Sequence, residues 1–255
     1  MMKPNNTYLG DCLDIMKDIP DNSIDCIICD LPYGAVECAW DSIIPFDKLW
    51  EQYLRITKET APILLFGAEP FSTMLRMSML DLFRYDLIWV KNKKTYYLEA
   101  KNRPMRRHEK ISVFSKSKFS NGCKTKMTYN PQGLIRCDIK GQNSDNSLVY
   151  GKRKCRANST YYKQEFTNYP DDVLYFNSDT SCLHPTAKPI DLLRYLVLTY
   201  SNQNDIILDN CMGSGTTCVA AIKEKRRYIG IEKDEKYFRI ANKRIEQEKM
   251  QLNLF

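Results

Sequence analysis

The chain has 255 residues, 43% of them hydrophobic and 27% charged, with a formal net charge of +7. That length and composition suit one α/β domain with an insertion, or two small domains, and exclude disordered and fibrous classes. No apolar run approaches the roughly 18 residues of a membrane-spanning helix, and the opening MMKPNNTYLGDC has no signal-peptide core, which points to a cytoplasmic protein.

In chain order, residues 24–29 form a short apolar run ending in Asp30, as a buried parallel strand does. Residues 61–66 (APILLF), 85–90 (YDLIWV) and 111–114 (ISVF) read the same way, as do 205–208 and 228–231 near the other end. Leu193, Leu196, Val197 and Tyr200 recur at helical spacing after Pro189, and Tyr237, Phe238, Ala241 and Ile245 mark a last helix. Strands alternating with helices predict a parallel sheet covered on both faces. Residues 118–175 break the rhythm, being polar, rich in Asn, Ser, Lys and Tyr, and without long apolar runs. They read as a region inserted into an α/β core.

Ten cysteines are many, but Cys26 and Cys29 sit inside an apolar run and Cys211 and Cys218 flank a glycine loop. Reduced thiols fit this placement better than disulfides. The one CxxC lies on a predicted strand, where alternation sends its sulfurs to opposite faces. With two histidines in the chain, the ligand count gives no zinc site.

Charge is unevenly spread. Residues 116–165 hold eleven Lys or Arg against three acids, with Phe119, Tyr129, Tyr150, Tyr161 and Tyr162 interleaved. Such a block fits a nucleic-acid surface or, equally, a solvated basic loop.

Two loops carry candidate chemistry. In residues 207–222 (ILDNCMGSGTTCVAAI) a strand ends at Asp209, Gly213 and Gly215 make a tight loop, and a helix begins near Thr216. Glu232 follows the next strand, where an acid can accept from ribose hydroxyls. Cys218 occupies the place of a third glycine and no phosphate-loop lysine follows, so an adenosyl ligand without a pyrophosphate fits better than NAD or ATP. A glycine turn that serves helix packing alone is the alternative. In CIICDLPYG (residues 26–34), Asp30 ends a strand and Pro32 holds Leu31 extended. The Asp30 carboxylate and the Leu31 carbonyl could then accept both hydrogens of an exocyclic amine, with Tyr33 stacked on its heterocycle. On its own, this tetrapeptide is more readily read as an ordinary strand-to-turn exit.

Together these motifs resemble the amino-methylating DNA methyltransferases. Asp-Leu-Pro-Tyr is similar to their Asp-Pro-Pro-Tyr motif, DNCMGSGTT to their S-adenosylmethionine (SAM) loop, and HPTAKP (residues 184–189) to the motif preceding it. LGDC near Asp11, FGAEPF, WVK and RRHE match as well. The order resembles the permuted β group. The resemblance implies a Rossmann-like, circularly permuted SAM-dependent methyltransferase sheet over residues 1–117 and 176–255, with 118–175 as an inserted target-recognition region. It implies SAM as cofactor, double-stranded DNA as partner, a homodimer, and the cytoplasm of a bacterium or of a phage's bacterial host. No metal is expected.

Carried over by position, Asp30, Leu31, Pro32 and Tyr33 form the catalytic loop. Asp209, Gly213, Gly215 and Thr216 line the SAM site, Glu232 takes its ribose and Asp11 its adenine, and Thr186 and Lys188 lie near its methionine end. Asp11 as a helix cap and Lys188 as a solvated side chain remain alternatives. Leu31 departs from the usual first proline, and Asn210–Cys211 from a common Pro-Phe pair. A leading Asp implies adenine N6 of a flipped base, against cytosine N4, or against a silent DNA-binding regulator. Lys152, Arg153, Lys154 and Arg156, four cations within five residues, are the expected phosphate contacts.

Overall fold

The computed structural model describes residues 2–34, 42–120, 122–142, 146–147, 151–152, 161–178 and 188–252. Contacts divide them into one unit of Met1–Asn130 with Asp172–Phe255, and a second of Pro131–Asp171. The first unit is built on β1 (Asn6–Leu9), α1 (Cys12–Met16), β2 (Cys26–Asp30), α2 (Phe46–Ile56), β3 (Ile63–Gly67), α3 (Phe71–Ser78), β4 (Phe83–Thr95) and β5 (Arg106–Phe114). The second holds β6 (Ile135–Gln142), β7 (Asn146–Ser147), β8 (Gly151–Lys152) and β9 (Tyr161–Thr167). The first unit resumes with β10 (Val173–Tyr175), α4 (Ile190–Tyr200), β11 (Ile206–Asp209), α5 (Thr216–Lys223), β12 (Arg227–Glu232) and α6 (Glu235–Leu252).

Eight strands form one sheet in the order β1-β12-β11-β2-β3-β5-β4-β10. The sheet is parallel except at β5, which runs against both β3 and β4. The expectation of a wholly parallel sheet is corrected there. β4 and β5 are joined by a short connection across residues 96–105, and a hairpin reverses direction where a parallel crossover would need a helix's worth of chain. Residues 172–175, drawn with the insertion from their polarity, pair through β10 with β4 at the sheet edge.

Alternation along the central strands splits the core in two. Cys26 and Ile28 of β2, with Leu64 and Phe66 of β3, pack under Leu193, Leu196 and Val197 of α4, Ala220 of α5 and Ala241 of α6. Ile27 and Cys29, with Leu65, pack under Met16 of α1, Trp50 and Tyr53 of α2 and Leu75 of α3. The two sulfurs of the CxxC thus enter opposite cores, as strand periodicity requires. Because both faces are covered, the strands read as continuous apolar runs, and their polar ends collect at the carboxyl edge. Asp30, Asp209 and Glu232 each terminate a strand at that edge. In the second unit, β6 pairs antiparallel with β9 and β7 with β8. None of the described helices is long and apolar enough to cross a membrane.

Candidate active site

Asp30 occupies the last position of β2, level with Phe66 of β3. The chain then turns through Pro32, and the Tyr33 hydroxyl donates back to Asp30 Oδ1 at 2.5 Å. Burial, and then the negative charge of Asp30, push the Tyr33 phenol well above its ordinary pKa, so it stays a donor. Its ring lies 4.9 Å from that of Phe71, tilted by 30°. Leu31 departs from the proline of the resemblance without disturbance, because its side chain is buried in the core under α2 and α3.

The other carboxylate oxygen of Asp30 accepts from Lys188 Nζ. Lys188 is 8% exposed, 5.1 Å from the centre of the Phe66 ring and 3.6 Å from Glu109 Oε2. Glu109 in turn is paired with Lys91. Four alternating charges therefore run Asp30, Lys188, Glu109, Lys91 along the edge. Burial works to lower the Lys188 pKa, but Asp30 and Glu109 outweigh it and hold the ammonium above its ordinary value. Burial would likewise raise Glu109, and Lys188 with Lys91 brings it below the usual range. The solvated alternative for Lys188 is thereby excluded. Lys91 and Glu109 lie within the WVK and RRHE matches, yet nothing in their local sequence signals that they stand on facing strands beside Asp30.

The glycine loop lies beside β2, since β11 pairs with it. Gly213 and Gly215 take φ of +51° and +77°, and a Cβ on Gly215 would sit 2.9 Å from that of Ala241. The close helix–strand approach normally given by a third glycine comes from the strand side, where a Cβ on Gly230 would collide with Met212 and Cys218. That accounts for Cys218 in the helix. The departure at Asn210 is also absorbed, as its Oδ1 accepts from the Tyr53 hydroxyl at 2.6 Å in the core. Thr216 opens α5, and Arg244 of α6 donates to its Oγ1 and to the Ser214 carbonyl at 3.0 and 2.6 Å. Arg244 holds this loop although no sequence motif marks it.

Glu232 accepts from the backbone N–H groups of Gly213 and Asp234, each at 2.8 Å. Asp11 caps α1, accepting from Leu13 N–H at 2.9 Å, with Lys233 3.3 Å from its other oxygen. Gly10, beside it, donates to the Glu232 carbonyl. Two glycines at positive φ facing an anchored carboxylate at the end of the neighbouring strand fit an adenosyl ligand. Thr186 lies outside the described residues, as do Arg153, Lys154 and Arg156, while Lys152 belongs to β8.

Asp209 is 4% exposed, and burial pushes its carboxyl from 3.8 up to about 7 against the hydrogen bonds of Thr217, Cys211 N–H and Cys29. The folded chain then keeps a proton that the unfolded chain releases near pH 4, so this group's contribution to stability falls as pH rises from about 4 to about 7. Asp209→Asn is expected to flatten that part of the stability profile. Denaturant unfolding across this pH range checks it, and an unchanged slope would refute it.

A Rossmann-like sheet with these two loops side by side at its carboxyl edge defines a SAM-dependent methyltransferase. The DNA methylase family model, covering N6 and N4 methyltransferases, matches residues 24–243, and the chain belongs to that family. It is 30% identical over 281 residues to the type II methyltransferase M.HinfI of Haemophilus influenzae, covering 97% of this chain and 71% of that protein. It is 28% identical over 260 residues to the DNA adenine methyltransferase YhdJ of Escherichia coli (strain K12), covering 93% and 81%. Among solved folds, the M1.HpyAVI–SAM complex aligns at TM-score 0.61 and 22% identity over 94% of this chain and 98% of that one. The cytosine-N4-specific PvuII DNA methyltransferase aligns at TM-score 0.67 and 16% identity over 99% and 93%. SAM is the cofactor and DNA the substrate.

Proposed function

We propose that the protein methylates the exocyclic N6 of adenine in duplex DNA, on a base flipped out of the helix and held against Asp30. The observation that carries this reading is the Asp30 carboxylate at the end of β2, fixed from one side by Tyr33 and from the other by Lys188. Bound SAM supplies an electrophilic methyl group on a sulfonium. Asp30 and the Leu31 carbonyl accept the two amine hydrogens, which turns the nitrogen lone pair toward that methyl group and replaces an encounter with a positioned reaction. Pro32 keeps the Leu31 carbonyl directed outward, and the Tyr33 ring stacks on the base. Lys188, bonded to Asp30, acts here as a positioning residue for the carboxylate and lies near the methionine end of SAM.

Asp209, Gly213, Gly215 and Thr216 shape the SAM pocket in this proposal, Glu232 takes the ribose, and Asp11 and Thr186 complete it. Of the expected 118–175 region, the 131–171 unit serves target recognition in this proposal, with Lys152, Arg153, Lys154 and Arg156 on the phosphates. The leading Asp of the tetrapeptide and the adenine specificity in the name of YhdJ support adenine. Mass spectrometry of nucleosides from DNA of cells expressing the protein tests the reading. N6-methyladenine is expected, and N4-methylcytosine in its place would overturn it.

Glu232→Ala is expected to weaken SAM binding by roughly 1–3 kcal/mol, because it removes an acceptor and strands two backbone N–H groups. Calorimetry giving an unchanged affinity would leave Glu232 no part in binding.

A further inference from the structure

Beyond Lys91 and Glu109, the β4–β5 hairpin leaves the sheet at the edge that carries Asp30. Residues 91–107 (KNKKTYYLEAKNRPMRR) hold seven Lys or Arg and a single acid, Glu99. Two of the cations are engaged by carboxylates, Lys91 by Glu109 and Arg103 by Glu99. Lys93, Lys94 and Lys101 are exposed and pair with no carboxylate among the described residues. Like charges this dense repel one another along a narrow ribbon, and an anionic partner removes that cost.

The hairpin is also shaped at its tip. Tyr96 sits at φ +66°, unusual for a residue with a side chain, and the guanidinium groups of Arg103 and Arg106 stand 4.5 and 4.7 Å from its ring. This clamp holds a single 3-10 turn, Tyr97–Glu99, whose Tyr97 and Leu98 are 74% and 83% exposed. Two large apolar side chains held outward on a basic arm match a surface offering both phosphates and apolar faces, as a DNA groove does. Beyond the Val90–His108 pair the ribbon shifts register and pairs again at Thr95 with Arg106, two residues further along β5, which adds about 7 Å at 3.3 Å per residue. The tip at residues 96–105 projects past that pair, and a major groove roughly 8.5 Å deep admits a two-stranded ribbon.

We infer that the β4–β5 hairpin is a DNA-binding arm, separate from the 131–171 unit, that enters the major groove next to the target base. Lys93, Lys94 and Lys101 grip phosphates, while Tyr97 and Leu98 rest on the groove floor. The inference rests on duplex DNA being the substrate and is independent of which amine is methylated.

The test is affinity for duplex DNA, measured across salt concentrations on several unrelated sequences. Replacing Lys93, Lys94 and Lys101 together with Ala is expected to weaken binding on the order of tenfold on every sequence, and to reduce the slope of log affinity against log salt by about 0.9 for each phosphate no longer neutralised. Y97S/L98S is expected to weaken binding several-fold with the slope unchanged. SAM affinity should stay at the wild-type level in both variants, which reports a preserved fold. A steep wild-type slope that the triple variant retains would overturn the arm and leave the methyltransferase reading intact. A wild-type chain with no salt-dependent duplex binding would overturn the DNA reading itself.

Discussion

Replacing Asp30 with Ala is expected to lower methyl transfer about a thousandfold or more while SAM affinity stays near that of the unaltered chain. The size follows from what the carboxylate does in the proposed reaction. It holds one amine hydrogen and so directs the lone pair, and losing a single preorganised polar interaction of that kind costs about 10²–10³ in rate before misalignment is counted. SAM affinity is spared because the Asp30 partners, Tyr33 and Lys188, are separate from Gly213 and Glu232. Asp30→Asn, which keeps an acceptor oxygen, should lose less. Single-turnover methylation together with calorimetry measures both quantities, and substantial activity in the Ala variant would remove Asp30 from the reaction.

The second large effect is expected at Lys188. Lys188→Met keeps the length and apolar stem but leaves Asp30 facing Glu109 with no cation between them. Removing one partner of a buried pair costs about 3–5 kcal/mol, since the remaining charge stays desolvated. Part of that cost is expected as lost stability and part as lost activity, because an Asp30 repelled by Glu109 no longer aims at the amine. The double variant Lys188→Met with Glu109→Gln removes the repulsion and should recover stability relative to Lys188→Met alone. If the single variant unfolds at the same denaturant concentration as the unaltered chain, the run of four alternating charges does not hold Asp30 in place.

Much of the fold is legible in the sequence because buried parallel strands write themselves as apolar runs. Residues 24–29, 61–66 and 205–208 are central strands, and the acid or glycine following each marks the carboxyl edge. β1 leaves no such trace since NTYL at the sheet's rim is half polar, and β10 leaves none since VLY spans three residues inside a polar stretch. The reversal of β5 is invisible, as an apolar run reads the same in either direction. Excess positive charge stands out in residues 116–165, whereas the shorter but denser 91–107 segment vanishes when it is averaged with the acids elsewhere in the chain. The relay of Lys91, Glu109 and Lys188 is hidden for another reason. Glu109 and Lys91 lie 79 and 97 positions before Lys188, and spacing in the chain says nothing about such neighbours.

The pairing of β2 with β11 sets Cys26 beside Ile207, and β1 closes against β12 with Asn6 beside Ile229. The amine-holding loop and the SAM loop are thus made by opposite parts of the chain, and their neighbouring strands meet only after about 180 residues of intervening polypeptide. Loop closure over that span is entropically slow. During synthesis, the early strands emerge from the ribosome with one flank of β2 unpaired until β11 and β12 appear. A nascent chain therefore has no working site until nearly all of the sheet has been translated. Prematurely terminated products lacking β11 would expose the apolar β2 edge instead of methylating DNA, and such unpaired edges invite aggregation and degradation.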